Sequence, residues 1–367
     1  MQINKLKDLA KKILAVPFIR KTRITLQSVI FHFLSLSKLL AVPYHLIISR
    51  KFDREIFAFT HAVRQYNTDI RRVLPSNIVV RRNIHRLEKG LIMENRRSVF
   101  ALDYITETIE AYARVVETQA EVALETGELQ WAHDVLAEYF RVTDSTHPKI
   151  AAMKSRFDKL PRPEGLEAGK SYLPYRSDAR ENKGIPTYES FMALSRRRRS
   201  VRWFKDQKVP RELVDKALLA AAQAPSSCNR QPYSYRIFDD PAMVAEIGQV
   251  PFGTAGFAHS FPMVAVVVGD MSKFFAARDR HVIYIDASLS IMAFIYALET
   301  LGLSSVTINC QDFSLIENGL KRALGLKPYE RPVLMIGLGY AKDEGMIPCS
   351  YKKPLEILRT YNERGDK

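Results

Sequence analysis

Residues 262–269 read Pro-Met-Val-Ala-Val-Val-Val-Gly, a run without one polar side chain. Such a segment reads as a strand buried on both faces, because neither alternate set of side chains is suited to water. The segments around it change period repeatedly. Tyr188 to Arg199 and Arg211 to Ala224 carry apolar residues at helical spacing, and Ser234 to Phe238 reads as a strand. Beyond the apolar run come a helix over Ile283 to Leu301, a strand over Ser305 to Asn309, a helix over Ser314 to Leu324 and a strand over Pro332 to Tyr340. Helices and strands mixed in this order predict an α+β layer fold.

The first half of the chain has a different character. From Phe52 to Phe157 the pattern stays helical, with apolar recurrence at three and four residues over Val99 to Leu124 and Leu129 to Val142. Between Leu160 and Pro186 lie Pro161, Pro163, Gly165, Gly169, Pro174, Gly184 and Pro186 among charged and polar residues. This is linker composition, wrapping a surface or separating two folded units. The expected organisation is a basic helical region over 1–159, a linker over 160–187 and a folded domain over 188–367.

Charge is concentrated at the start. The first hundred residues hold 20 Lys and Arg against 6 Asp and Glu, a net +14 out of +15 for the chain. Residues 1–23 alternate lysines with apolar residues in a helical rhythm that suits a surface-lying amphipathic helix. Ile24 to Ser49 is strongly apolar but carries His32, Lys38 and His45, and Pro43 is expected to break a spanning helix near its end. A buried helix or peripheral membrane contact through 1–50 fits better than a span. A positive field also draws nucleic acid, but there is no zinc-finger spacing or aromatic-and-basic RNA signature, so nucleic acid is the weaker partner. Three cysteines, Cys228, Cys310 and Cys349, make neither a disulfide framework nor a four-thiolate metal site within one chain. The expected setting is cytoplasmic, with peripheral contact at the inner face of the membrane as an extension of that reading.

Two segments carry chemistry. The first is Arg196-Arg197-Arg198-Arg199-Ser200-Val201-Arg202-Trp203-Phe204, a cationic cluster that reads either as a solvated helix end or as an anion site. The second follows one helix later: Ala224-Pro225-Ser226-Ser227-Cys228-Asn229-Arg230-Gln231-Pro232-Tyr233. Hydroxyls and amides held between prolines make a rigid loop dense in donors and acceptors, suited to the edge of a planar heterocycle, or simply a helix-to-strand turn. A third segment, Arg81 to Leu91, places His85 and Glu88 on one helix face; it reads as a charged face ended by Gly90 at a C-cap, with an acid and base pair or half a metal site as the alternative.

In the first two blocks the sequence resembles the FMN-dependent nitroreductase family, whose signature is an Arg-Arg-Ser-x-Arg block, a helix, and a Pro-Ser-Ser-x-Asn-x-Gln-Pro loop. Leu301-Gly302-Leu303-Ser304-Ser305 resembles the family's Gly-Leu-Gly-Ser turn with Ser304 in place of the second glycine. Val333 to Ala341, with Gly337 and Gly339, resembles its penultimate strand, and Tyr351-Lys352-Lys353-Pro354-Leu355 its basic tail. The resemblance covers 188–367. It implies a three-layer fold with a central, mainly antiparallel sheet flanked by helices, preceded here by the all-helical N-terminal region.

The resemblance further implies that Arg198, Arg199 and Ser200 bind the FMN phosphate with Lys352 or Lys353, and that Arg202 stands at the pyrimidine end of the ring. Ser304 and Ser305 join the cofactor site. Pro225, Ser226, Ser227, Asn229 and Gln231 reach the cofactor from a partner subunit, so a homodimer with FMN at its interface is implied. No side chain acts as nucleophile and no metal is required; the flavin carries hydride from NAD(P)H to a small acceptor such as a nitroaromatic, quinone or enone, with Arg202 as electrostatic support. Members of this fold also oxidise peptide azolines, remove halide from tyrosines or fragment the flavin. A flavin-binding interaction protein docked on a membrane or envelope-assembly complex is the competing class. Cys228 reads as a small packing residue and Asp286 as a helix cap.

Overall fold

In the computed structural model the described residues are 17–72, 76–118, 125–165, 169–180 and 183–364. Most of the amphipathic segment expected over 1–23 lies outside them. The chain divides into two compact units, Met1–Ala58 and Phe59–Lys367.

The first unit contains helices α1 (Pro17–Ser35) and α2 (Lys38–Pro43), followed by a π-helical segment Tyr44–Ser49. The expected break at Pro43 does not occur. The chain stays helical through the proline by widening into π turns, and the interruption falls instead at Leu36 and Ser37, where the Ser37 hydroxyl accepts from Leu39 N at 3.1 Å to start the next helix.

Helix α3 (Asp53–Asp69) leads into the helical part of the second unit: α4 (Ile78–Leu91), α5 (Ile105–Glu117), α6 (Thr126–Val142) and α7 (Pro148–Asp158). Asn77 starts α4 by accepting from Val79 N and Val80 N at 3.0 and 3.2 Å. Ile84 and Leu87 of α4 are fully buried with Ile105, Ile109, Leu136 and Tyr139, the set a helical period places on facing stripes. Gly90 is not the C-cap. The helix continues to Leu91 and Ile92 caps it, while the bare Cα of Gly90 leaves room for the Phe100 ring. The segment after α7 runs along α6, with Gln130 Nε2 donating to Lys170 O at 2.8 Å and Tyr172 N donating to Asp134 at 3.0 Å.

The remainder comprises α8 (Tyr188–Arg197), α9 (Arg211–Ala221), β1 (Tyr233–Phe238), α10 (Pro241–Gly248), β2 (Met263–Asp270), α11 (Val282–Thr300), β3 (Ser304–Asn309), α12 (Ser314–Leu324), β4 (Glu330–Gly339) and a last turn, α13 (Leu355–Leu358). The strands form one antiparallel sheet in the order β1-β2-β4-β3. Helix α10 has no counterpart in the sequence expectation, although Asp240 caps it by accepting from Ala242 N and Met243 N and Pro241 opens it. Its eight residues are too short to establish a period.

The apolar run forms β2 and explains the layering. Met263, Ala265 and Val267 face one way, into a core with α9 and α11; Val264, Val266 and Val268 face the other, into a core with Phe261, α10 and α12. Each fully buried aliphatic side chain contributes about 1.5–3 kcal/mol, so a strand apolar on both faces holds helices to both. This is the mixed helix-and-antiparallel-sheet architecture expected, with a helical region before it. Residues 277–300, which include α11, are long and apolar enough to cross a membrane by length and composition, but α11 packs one side against the sheet.

Candidate active site

Helix α8 ends at Arg197, and the next residues turn to meet the sheet edge. Arg198 N still donates to Leu194 O at 2.9 Å, and then Ser200 bridges Ser305 in parallel register, with Val201 N donating to Ser305 O at 3.0 Å. Ser200, Ser304 and Ser305 are thereby brought together at the start of β3. Gly302, at φ +77°, makes the preceding turn in a backbone region that L side chains rarely adopt.

Beneath this junction sits Glu299, its side chain 3% exposed and its Oε2 3.4 Å from Arg197 Nε. Burial raises its pKa, against the lowering effects of Arg197, Arg198 and a hydrogen bond from the Ser304 side chain. Ser304, where the family pattern has glycine, therefore turns its hydroxyl toward Glu299. One carboxylate faces a block of four arginines, so the cluster keeps a cationic surplus suited to an anion with several acceptor oxygens. Arg199 donates to Cys349 O at 3.1 Å, which ties the C-terminal tail to the same place. Lys352 and Lys353 follow on that tail and are exposed. Arg202 lies 5.6 Å over the Phe257 ring, and its carbonyl accepts from Ser260 Oγ at 2.7 Å.

The Pro225–Gln231 loop stands apart from this cluster, against the opposite end of α11. Cys228, Asn229 and Gln231 have φ of 50°, 52° and 48°, a concentration of left-handed non-glycine residues that costs on the order of 1–3 kcal/mol each. Its surroundings hold this shape. Ser226 Oγ accepts from Gln231 N at 3.0 Å, Gln231 Nε2 donates to Asn229 Oδ1 at 3.2 Å, and Ser227 N donates to Asp286 Oδ2 at 2.9 Å. Asp286 is thus not a cap: it lies one turn into α11, 3% exposed, with its carboxylate turned to the loop, and His281 occupies the cap position.

The helical region supplies the remaining support. Arg81 of α4 donates from Nε to Asn229 O at 3.1 Å and from its terminal nitrogen to Glu128 Oε2 at 2.7 Å. Arg230 is buried over the Phe274 ring at 4.6 Å, and its Nε has no partner among the described residues; burial lowers its pKa, opposed by Cys228 and reinforced by Arg82. His85 Nδ1 lies 3.0 Å from Glu88 Oε2, while Glu88 Oε1 accepts from Trp131 Nε1 at 2.8 Å. No group of three or more metal-ligating side chains occurs among the described residues. Sequence reasoning missed the contacts of Arg81, Glu299 and Asp286; the one available signal was that Asp286 and Glu299 are the only two charges in an otherwise apolar helix, and Arg81, among the many charges of α4, carried none.

The family model for the Nitroreductase family matches residues 195–254 and 249–340. The C-terminal region is of the nitroreductase family. Curated relatives of this nitroreductase region include iodotyrosine deiodinase 1 of Pongo abelii, 23% identical over 209 residues that span 48% of this chain and 70% of that protein. A protein of Methanothermobacter thermautotrophicus with the provisional name NADH dehydrogenase/NAD(P)H nitroreductase is 28% identical over 144 residues, 39% of this chain and 73% of its own length. Among solved structures, an FMN-dependent nitroreductase from Clostridium difficile R20291 is 23% identical, with a TM-score of 0.42, covering 47% of this chain and 99% of that one.

Two buried carboxyls in the nitroreductase region make stability depend on pH. Burial is the leading cause of the raised pKa at both Asp286 and Glu299. Each binds its proton more tightly folded than unfolded, so the contribution is fullest below the ordinary carboxylate range and is lost as pH rises through that range to the raised folded value. Glu299→Gln and Asp286→Asn are expected to flatten this decline in thermal melts recorded from acid to neutral pH; an unchanged slope in the double variant would contradict the assignment. Asn at 286 keeps an acceptor for Ser227 N, whereas Asp286→Ala does not.

Proposed function

We propose that residues 188–367 bind FMN and form an NAD(P)H-dependent oxidoreductase acting on a small acceptor such as a nitroaromatic, quinone or enone. The observation that carries this reading is the junction of Arg198, Ser200, Ser304 and Ser305 over one buried carboxylate. A phosphate with about two negative charges is matched by guanidinium and hydroxyl donors held on a rigid strand edge. The donor set therefore fits FMN.

In this reading Arg198, Arg199 and Ser200 hold the phosphate, with Lys352 or Lys353 closing over it from the tail that Arg199 tethers. Ser304 and Ser305 line the same end. Arg202 places a cation where negative charge develops on the ring. When bound, FMN supplies hydride acceptance and donation at its N5, so the side chains bind, orient and set potential rather than attack. Pro225, Ser226, Ser227, Asn229 and Gln231 act from a second copy of the chain. Their separation from the Arg198 cluster supports a homodimer, since within one protomer the loop meets Asp286 and the arginines meet Glu299, thirteen residues or about 20 Å apart along α11.

A second reading is reductive removal of halide from an aromatic substrate, supported by the likeness to iodotyrosine deiodinases in Pongo abelii and in Haliscomenobacter hydrossis. Anaerobic titration of the flavin-loaded protein with NADH and NADPH tests the primary reading. Bleaching by at least one nucleotide is expected, with reoxidation by a quinone or nitroaromatic. Flavin that dithionite bleaches but neither nucleotide does would overturn NAD(P)H dependence, and reoxidation by a halotyrosine alone would favour the second reading.

A further inference from the structure

Residues 36–49 of the first unit invert the usual burial pattern. No residue of α2 or of the π-helical segment after it is buried. The partly covered positions from Leu34 onward are Leu34, Ser37, Ala41, Tyr44, His45 and Ser49, spaced three and four apart, which makes them one stripe. That stripe is mostly small or polar. Helices α1 and α2 pack on each other across the Leu36–Ser37 turn, with Phe31 of α1 6.1 Å from both the Tyr44 and the His45 rings. The side chains turned outward are instead large and apolar: Leu39 is 85% exposed, Ile47 and Ile48 73%, Leu36 66% and Phe33 58%. Over 36–49 the covered stripe is small or polar and the exposed side chains, Lys38 aside, are mostly aliphatic, a pattern suited to an apolar surrounding rather than to water.

Length and charge select among apolar surroundings. Residues 24–35 and 38–49 make two apolar arms of equal length, each about 18 Å long at the helical rise. That is short of the roughly 30 Å hydrocarbon core, so neither arm spans it and the pair can lie shallowly along one leaflet. Residues 1–51 hold ten Lys and Arg and a single acid, Asp8. Lys38, the one charge between Arg23 and Arg50, stands at the turn, where its stem can carry the ammonium toward the headgroups of a shallow seat. We propose that the hairpin of α1 and α2 seats itself in one leaflet of an anionic bilayer, leaving both of its ends on the same side of the membrane. A second copy of the chain fits less well, because two such cationic units repel.

The test uses the full chain with vesicles of phosphatidylcholine alone or mixed with phosphatidylglycerol. Flotation is expected with the mixed vesicles. Leu39→Glu with Ile47→Glu is expected to abolish it; both sites are exposed, so flavin-domain folding serves as an internal control. Lys38→Gln with Lys51→Gln is expected to weaken binding by roughly twentyfold or more, about fivefold per charge near an anionic surface. Leu39→Trp fluorescence is expected to be quenched by lipids brominated on the acyl chain, and Leu219→Trp, exposed on α9, is not. Absence of flotation overturns the proposal, as does concentration-dependent dimerisation through this face without lipid binding. So does a topology in which tags before Pro17 and after Lys51 lie on opposite sides of the vesicle.

Discussion

Arg198→Ala is expected to leave the nitroreductase region folded and to weaken FMN binding by roughly a hundredfold or more. A charge-assisted hydrogen bond contributes about 1.5–3 kcal/mol and a guanidinium offers two to one phosphate, while each 1.4 kcal/mol is a factor of about ten. The fold is expected to survive because Arg198 is only partly buried and its backbone amide, not its side chain, closes the end of α8. Glu299 keeps Arg197 and the Ser304 hydroxyl as partners. Arg198→Lys retains the charge without the planar fork and should fall between the two. Equilibrium dialysis of FMN against wild type and both variants measures this; equal affinity in all three would remove Arg198 from the phosphate site.

Arg81→Ala carries the largest expected effect on stability, about 3 kcal/mol. The substitution leaves Glu128, with 4% of its side chain exposed, without its cation, and breaking a buried pair costs about 3–5 kcal/mol. The lower end applies because Ser76 Oγ and Asn77 N still donate to that carboxylate, at 2.6 and 2.9 Å. The same change removes the donor to Asn229 O and so frees a loop held in left-handed backbone at three positions. Arg81→Ala combined with Glu128→Gln should recover part of the stability but not the loop contact. Denaturant unfolding of the singles and the double resolves the pairwise energy, and additive losses would contradict the coupling.

These two residues mark what the sequence discloses and what it withholds. The Arg-Arg-Ser-x-Arg block and the proline-bounded loop are local patterns, as are the strand over 263–270 and the helix over 282–300, each within a residue or so of its expected ends. Their chemistry is written in adjacent residues. Arg81 and Asn229 are separated by 148 positions, and nothing in either neighbourhood points to the other. Asp286 looked like a cap because an acid near a helix start favours the dipole; its partner, Ser227 N, is set by tertiary packing that outweighs that preference. Pro43 looked like a helix break because the π widening that absorbs it leaves no compositional trace.

The central claim is that the nitroreductase region holds FMN, and the most direct measurement is the flavin content of the full-length protein. After incubation with FMN and removal of the excess, the protein should be yellow and release FMN equimolar with the chain on denaturation, with much less retained by Arg198→Ala. A colourless protein that takes up no FMN, although folded by circular dichroism, would contradict the account.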